Sequence, residues 1–308
     1  MKKSLLAAFC LAMTVYLCGC FSLKNNQQYS ASGPDLATAQ AALHQKTQKI
    51  KEKKENASQL PEVLGGVISS ERWIIYKEKE EEEFEGNVHY DNGAYVFRAQ
   101  YALSQRKKNL FTAKGSVYLR KNETDHSFYE LHADKASYNY STGIGKAQAN
   151  RRKKIKLVYQ NNKGEVITAL ARQADFNTKQ ETFVLSGDVF VTHTNALGQQ
   201  NTLRADKISA RKQDNYALLE GNAIVQNQDY TLRSESIEYD GKQKMAYAYG
   251  GRPLANGKTQ DGTFAIIADK VSAETDSRKI KLSGQVQGWI ISEQINQSKA
   301  NETFNGSF

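Results

Sequence analysis

A strand-sized phrase recurs along the 308-residue chain and constrains its fold more than any other feature. Half of the phrase is an Ala-Asp or a look-alike: Ala99-Gln100, Ala133-Asp134, Ala205-Asp206, Ser234-Glu235 and Ala268-Asp269. The other half is a glycine, mostly followed by a small polar residue and valine: Gly86-Asn87-Val88, Gly115-Ser116-Val117, Gly187-Asp188-Val189, Gly221-Asn222-Ala223 and Gly284-Gln285-Val286. Gln100 to Gly115, Asp206 to Gly221, Glu235 to Gly250 and Asp269 to Gly284 each span 15 residues. Asp134 reaches Ala149 at that same distance, a copy without its glycine, and Ala174-Asp175 to Gly187 reads as a shorter variant of 12. Copies begin 34, 41, 31, 29 and 34 residues apart, a spacing at which repeats signal stacked supersecondary units.

Parity turns the phrase into geometry. The positions four and two before each glycine, and two and four after it, form one apolar set: Phe111/Ala113/Val117/Leu119, Phe183/Leu185/Val189/Val191, Ala217/Leu219/Ala223/Val225 and Ile280/Leu282/Val286/Gly288. Period two with one apolar face predicts half-buried strands, and an inward glycine marks a bend or close backbone approach. Around the acidic residue the parity switches: Leu203/Ala205 precede Asp206, whereas Ile208/Ala210 follow it. A bulge or corner produces such a switch, with the acid either bonding backbone amides or serving a ligand.

Turn signals fall between the alternating runs, at 90–93, 161–164, 239–242 and Asn256-Gly257. Only three prolines interrupt the chain. The fold class is therefore all-β, a long antiparallel structure of repeated strand pairs.

The N-terminus carries an export signal. Lys2-Lys3 precede an apolar stretch, 5–17, that is too short to span a bilayer. It ends in Leu17-Cys18-Gly19-Cys20, which resembles a bacterial lipobox with Cys20 as the acylated residue. Cys10, Cys18 and Cys20 all lie in this segment, so no disulfide is expected in the exported chain. The alternatives are a plain secretory signal and an uncleaved anchor. The predicted organisation is a signal at 1–20, a tether with a short basic helix at 21–62, the β domain at 63–292 and a disordered tail at 293–308. Several acyl chains on Cys20 would anchor the protein durably to the inner or outer membrane of a diderm bacterium, facing the periplasm.

The net charge is +9, with basic clusters at 106–108 and 151–156. For an exported protein these suit phosphorylated lipid headgroups, or they are simply turns kept in water. No nucleic-acid motif with interleaved aromatics occurs, and no nucleic-acid partner is expected. His44, His89, His126, His132 and His193 are scattered without metal-ligand spacing, and the acidic run 78–83 reads as a solvated edge. No nucleophile elbow, P-loop or dinucleotide fingerprint appears. No enzyme, cofactor or metal is expected.

The two phrases, Leu131-His132-Ala133-Asp134 to Tyr138 and Leu185-Ser186-Gly187-Asp188-Val189-Phe190-Val191, with Leu203-Arg204-Ala205-Asp206, resemble the OstA-like domain. That family includes the periplasmic lipopolysaccharide-transport proteins LptA and LptC and the N-terminal part of LptD, and the resemblance covers about 80–291. It implies a folded-over, V-shaped β-jellyroll whose interior holds the acyl chains of lipopolysaccharide or a related glycolipid. It also implies partners of the same fold, joined by edge-strand pairing into a transport bridge. Implied lipid contacts are the inward Phe111, Ala113, Val117, Leu119, Phe183, Leu185, Val189, Val191, Ala217, Leu219, Ala223, Val225, Ile280, Leu282 and Val286. A lipobox departs from the family, whose bridge member has a plain signal and whose inner-membrane member has a transmembrane helix. The competing reading is a structural envelope β-solenoid whose interior is filled by side chains.

Overall fold

The computed structural model describes residues 66–259, 262–274 and 279–292. The predicted signal with Cys20, the tether and the tail lie outside the described residues. Between them runs one antiparallel sheet of twenty strands. Its long members are β3 (Glu81–Asp91), β4 (Tyr95–Gln105), β5 (Leu110–Asn122), β6 (Phe128–Asn139), β11 (Thr182–Thr194), β12 (Gln200–Arg211), β13 (Tyr216–Gln226) and β14 (Tyr230–Asp240). Each neighbouring pair among them slips register near its middle, at the recurring phrase.

The short strands are the same rungs with the ladder interrupted at that crease. They are β1 (Val67–Ser69) and β2 (Arg72–Tyr76), β7 (Ile144–Gln148) and β8 (Ile155–Gln160), and β9 (Val166–Ala171) and β10 (Gln173–Asn177). Then come β15 (Met245–Tyr249), β16 (Leu254–Thr259), β17 (Gly262–Ile267), β18 (Lys270–Glu274), β19 (Ile280–Ser283) and β20 (Gln287–Ser292). On one side of the crease the order is β2, β3 to β6, β7, β10, β11 to β14, β15, β18, β19. On the other it is β1, β3 to β6, β8, β9, β11 to β14, β16, β17, β20. The result is a β-jellyroll: one sheet folded lengthwise, whose two layers share a core of residues from both, including Leu185 and Ile208 from the first and Val191 and Leu203 from the second. Stacked at ~4.8 Å per strand, the layers run on the order of 60 Å.

The crease explains the repeat. Gly187 and Asp188 both take positive φ, +83° and +52°, and stand opposite one residue of β12. Gly115-Ser116 and Gly221-Asn222 do the same. This two-residue bulge rotates the strand, so residues of the same parity on either side of it both point inward, into different layers. Glycine is required twice over, by φ and by space: a Cβ on Gly221 would lie 2.9 Å from that of Asp206.

The expected pairing is corrected at one copy. Asp175 sits within β10, opposite Val184 and Lys146, away from the crease. The residue over Gly187 is Arg172, whose Cβ would lie 2.8 Å from a Cβ on that glycine. Counted from Arg172 the offset is again 15, and Glu71 lies over Gly86 in an additional copy that carries no Ala-Asp phrase. What the corner needs is a side chain packed across the glycine, whatever its charge. At Asp134 no glycine is needed because the chain leaves the ladder, and the Asn150 amide donates to the Asp134 carboxylate at 2.6 Å. A second correction concerns Asn256-Gly257, which lies inside β16 opposite Ala265 and Phe264 and makes no turn. The other expected turns link β3 to β4, β8 to β9 and β14 to β15.

Candidate functional site

Inward residues line up across the strands in rows, because each register pairing fixes its neighbour. The middle row of the second layer reads Ile68, Tyr90, Phe97, Leu119, Leu131, Leu157, Ala169, Val191, Leu203, Val225, Leu232, Ala255, Ile266 and Gly288. No charged residue interrupts it. The middle stretch of the facing row in the first layer divides in two. Ala102, Ala113, Ala136, Ala147 and Ala174 come first; Leu185, Ile208, Leu219 and Ile237 follow.

That division decides where space remains. Large aliphatics fill the second half, where Leu185 and Ile208 are 0% and 1% exposed. In the first half, alanines face leucines and a recess opens between the layers. Its floor is Ala147 and Ala174, and Leu119, Leu131, Leu157, Phe176 and Phe183 form its walls. Its cavity volume is about 50 Å³. Gly145 makes room for the Phe176 ring of that wall, with which a Cβ there would collide.

Of the expected inward residues, Ala113, Val117, Phe183, Leu185, Val189, Val191, Ala217, Leu219, Ala223 and Val225 are buried. Phe111, Leu119 and Leu282 are partly buried against the core. Only Leu119 and Phe183 line the recess. Ile280 and Val286 are 63% and 49% exposed, at the end of the fold where no further strand among the described residues covers them. The opposite end is equally greasy: Val67, Trp73 and Ile75 are exposed on β1 and β2.

The lip of the recess is polar and aromatic. Tyr95, Lys121, Tyr129, Tyr159, Ile167, His193 and Asn201 stand in one register row, one step nearer the free edge than the leucines. Sequence reasoning overlooked Lys121, Tyr129 and Tyr159, although Lys121 continues the inward parity of Val117 and Leu119. The Tyr129 and Tyr159 rings lie 4.7 Å apart. His193 is buried, and neither ring nitrogen has a hydrogen-bond partner in the chain. Burial pushes its pKa below the ordinary imidazole value, against a weaker pull upward from Glu165.

The charged clusters are mostly committed to the fold. Lys154 donates to the Asp188 carbonyl at 2.6 Å and to its carboxylate at 2.5 Å, which holds that carboxyl below its usual range. Lys153 lies 3.7 Å from Asp134. Arg106 pairs with Glu82, and Lys107 donates to the Glu78 carbonyl at 2.6 Å. Glu81 accepts from Gln105 at 2.7 Å, and Glu83 accepts from Tyr101 at 2.8 Å. Together with burial, the Glu83 contact pushes the Tyr101 pKa up to about 12. Among the described residues no three His, Cys, Asp or Glu side chains are grouped to hold a metal, and no helix is long and apolar enough to cross a membrane.

The family model described as LptA/(LptD N-terminal domain) LPS transport protein matches residues 67–216. These residues are a domain of that family. The match takes in the alanine run, the recess and its lip, and ends at the start of β13. Among solved structures, the chain is similar to the crystal structure of LptH from Pseudomonas aeruginosa, the LptA homologous periplasmic component of the lipopolysaccharide transport device. Identity is 10%, the match covers 39% of this chain and 81% of that one, and the TM-score is 0.33. No curated protein matches the sequence. Beyond the matched LptA/LptD N-terminal domain, β14 to β20 continue the same two layers to Ser292.

Proposed function

We propose that this protein is a non-enzymatic lipid-binding module that carries lipopolysaccharide across the periplasm toward the outer membrane, as part of a bridge. The domain would span 63–292, tethered through 21–62 to a membrane by acylated Cys20. The observation that carries the proposal is the recess above Ala147 and Ala174, which lies within the residues matched by a lipopolysaccharide-transport family and in an apolar row that continues beyond them to Gly288. Burying an acyl chain there contributes ~0.8 kcal/mol per methylene, so the interior needs few polar contacts to hold a multi-chain lipid. Exposed apolar residues on both terminal edges support pairing with further jellyrolls, by addition of strand to strand.

Photo-crosslinking to lipopolysaccharide from Leu119 and Phe183 tests the cargo. Adducts are expected there and absent from the outward Ser186 and Glu220. The reverse pattern would sink the proposal.

A second reading is favoured by the tight packing of Leu185, Ile208 and Leu219: a structural envelope lipoprotein with a side-chain core. It predicts no lipid adduct at any inward position.

A further inference from the structure

Lys121 is out of place on an apolar face. It follows Val117 and Leu119 at the inward positions of β5, and its side chain is only 12% exposed. An ammonium so placed is costly unless its donors are satisfied. Within the chain it has the Glu123 carboxylate at 2.6 Å and the Tyr95 ring face at 5.9 Å. An ammonium carries three donors, and one neighbouring carboxylate oxygen does not use them all. The carbon stem of the side chain lines the recess, at the boundary between the leucine walls and the free edge. Tyr95 and Tyr129 flank it in the same row, the kind of residue that suits a site with one apolar and one wet end.

We propose that Lys121 binds the phosphate of a lipid headgroup whose acyl chain lies in the recess beneath it. The inference rests on the lipid-cargo reading and deepens it, by naming the contact that selects a phosphorylated lipid over a neutral one. Charge complementarity supports that choice: a lysine whose aliphatic stem lies along the greasy wall presents its cation at the mouth. Glu123 then acts as a placeholder, holding the ammonium until phosphate replaces the carboxylate.

The test uses the full chain in detergent, with bis-phosphorylated lipid A, the same lipid enzymatically dephosphorylated, and inorganic phosphate as probes. Lys121→Met keeps the stem and removes the charge. It should weaken binding of the phosphorylated lipid roughly ten-fold, the scale of one charge-assisted hydrogen bond, and leave the dephosphorylated lipid unchanged. Lys121→Arg should restore the preference. Glu123→Gln, which leaves the cation in place, should tighten the phosphorylated lipid. Equal weakening of both lipids by Lys121→Met would show a packing role and overturn the inference, as would an unchanged preference in both the Met and Gln variants. Inorganic phosphate that displaces neither lipid supports a headgroup site, whereas tight phosphate binding without lipid overturns it. If the unsubstituted chain binds both lipids equally, the headgroup contact fails while the cargo reading stands; if it binds neither, both fail.

Discussion

Arg172 lies across the crease from Gly187, 15 residues before it, just as Asp206 lies across from Gly221. A guanidinium and a carboxylate thus hold equivalent places. The shared requirement is steric: a Cβ and Cγ packed where the partner strand has none, over a backbone that turns through two positive-φ residues.

Gly221→Ala should therefore cost more than its backbone strain. Gly164→Ala supplies the comparison, because its φ of +81° is as unfavourable while no atom lies within 4 Å of the added methyl. A positive-φ alanine alone costs about 1–2 kcal/mol. The clash with Asp206 should add about as much again. Urea-denaturation midpoints of the two variants measure the difference, and equal losses would refute the steric account of the repeat.

This also shows what could be read in advance. Strand parity, the bend at glycine and the switch at Asp206 were legible because they follow from the period of two along one strand. Arg172 was missed because the search asked for an acid, where the fold asks for bulk. Lys121 was legible from the parity of Val117 and Leu119, whereas the alanine row was illegible for another reason. Ala113, Ala136, Ala147 and Ala174 become neighbours only once register joins β5, β6, β7 and β10, and no local pattern carries that information.

Filling the recess should separate stability from cargo. Ala147→Leu places a larger side chain on its floor, where space already exists. Stability is expected to fall by no more than about 1–3 kcal/mol, the usual cost of added methylenes in a packed core. Crosslinking of lipopolysaccharide from Leu119 should nevertheless fall roughly ten-fold, since the lost burial of even two methylenes amounts to ~1.6 kcal/mol. Undiminished adducts in a folded variant would place the lipid elsewhere.

His193 links the lip to pH. Its folded pKa is lowered by burial from the model-peptide value of 6.5. The unfolded chain therefore binds the proton first as pH falls. Stability is unaffected by this group above that value and declines as pH drops through it, until the folded pKa is reached. The slope contributed is at most about 1.4 kcal/mol per pH unit. His193→Leu should flatten the decline between pH 7.5 and 5.5 in thermal or urea unfolding. An equally steep decline in the variant would assign the acid sensitivity to other groups.

Trp289, Ile290 and Ile291 are each more than half exposed on β20, whose only partner among the described residues is β17. A strand with apolar side chains and a vacant hydrogen-bonding edge is a template for another chain, unless a charge blocks it. Ile290→Lys adds such a charge where the side chain is 74% exposed, so its cost in stability should stay within about 0.5 kcal/mol. Its effect should instead fall on assembly. Sedimentation across a concentration series is expected to show higher-order species for the parent chain and a shift toward monomer for the variant. The same substitution at Leu197, 84% exposed but in the turn between β11 and β12, controls for lost surface greasiness and should leave assembly unchanged. Equal behaviour of the two variants would mean that apolar surface in general, and not the β20 edge, drives association.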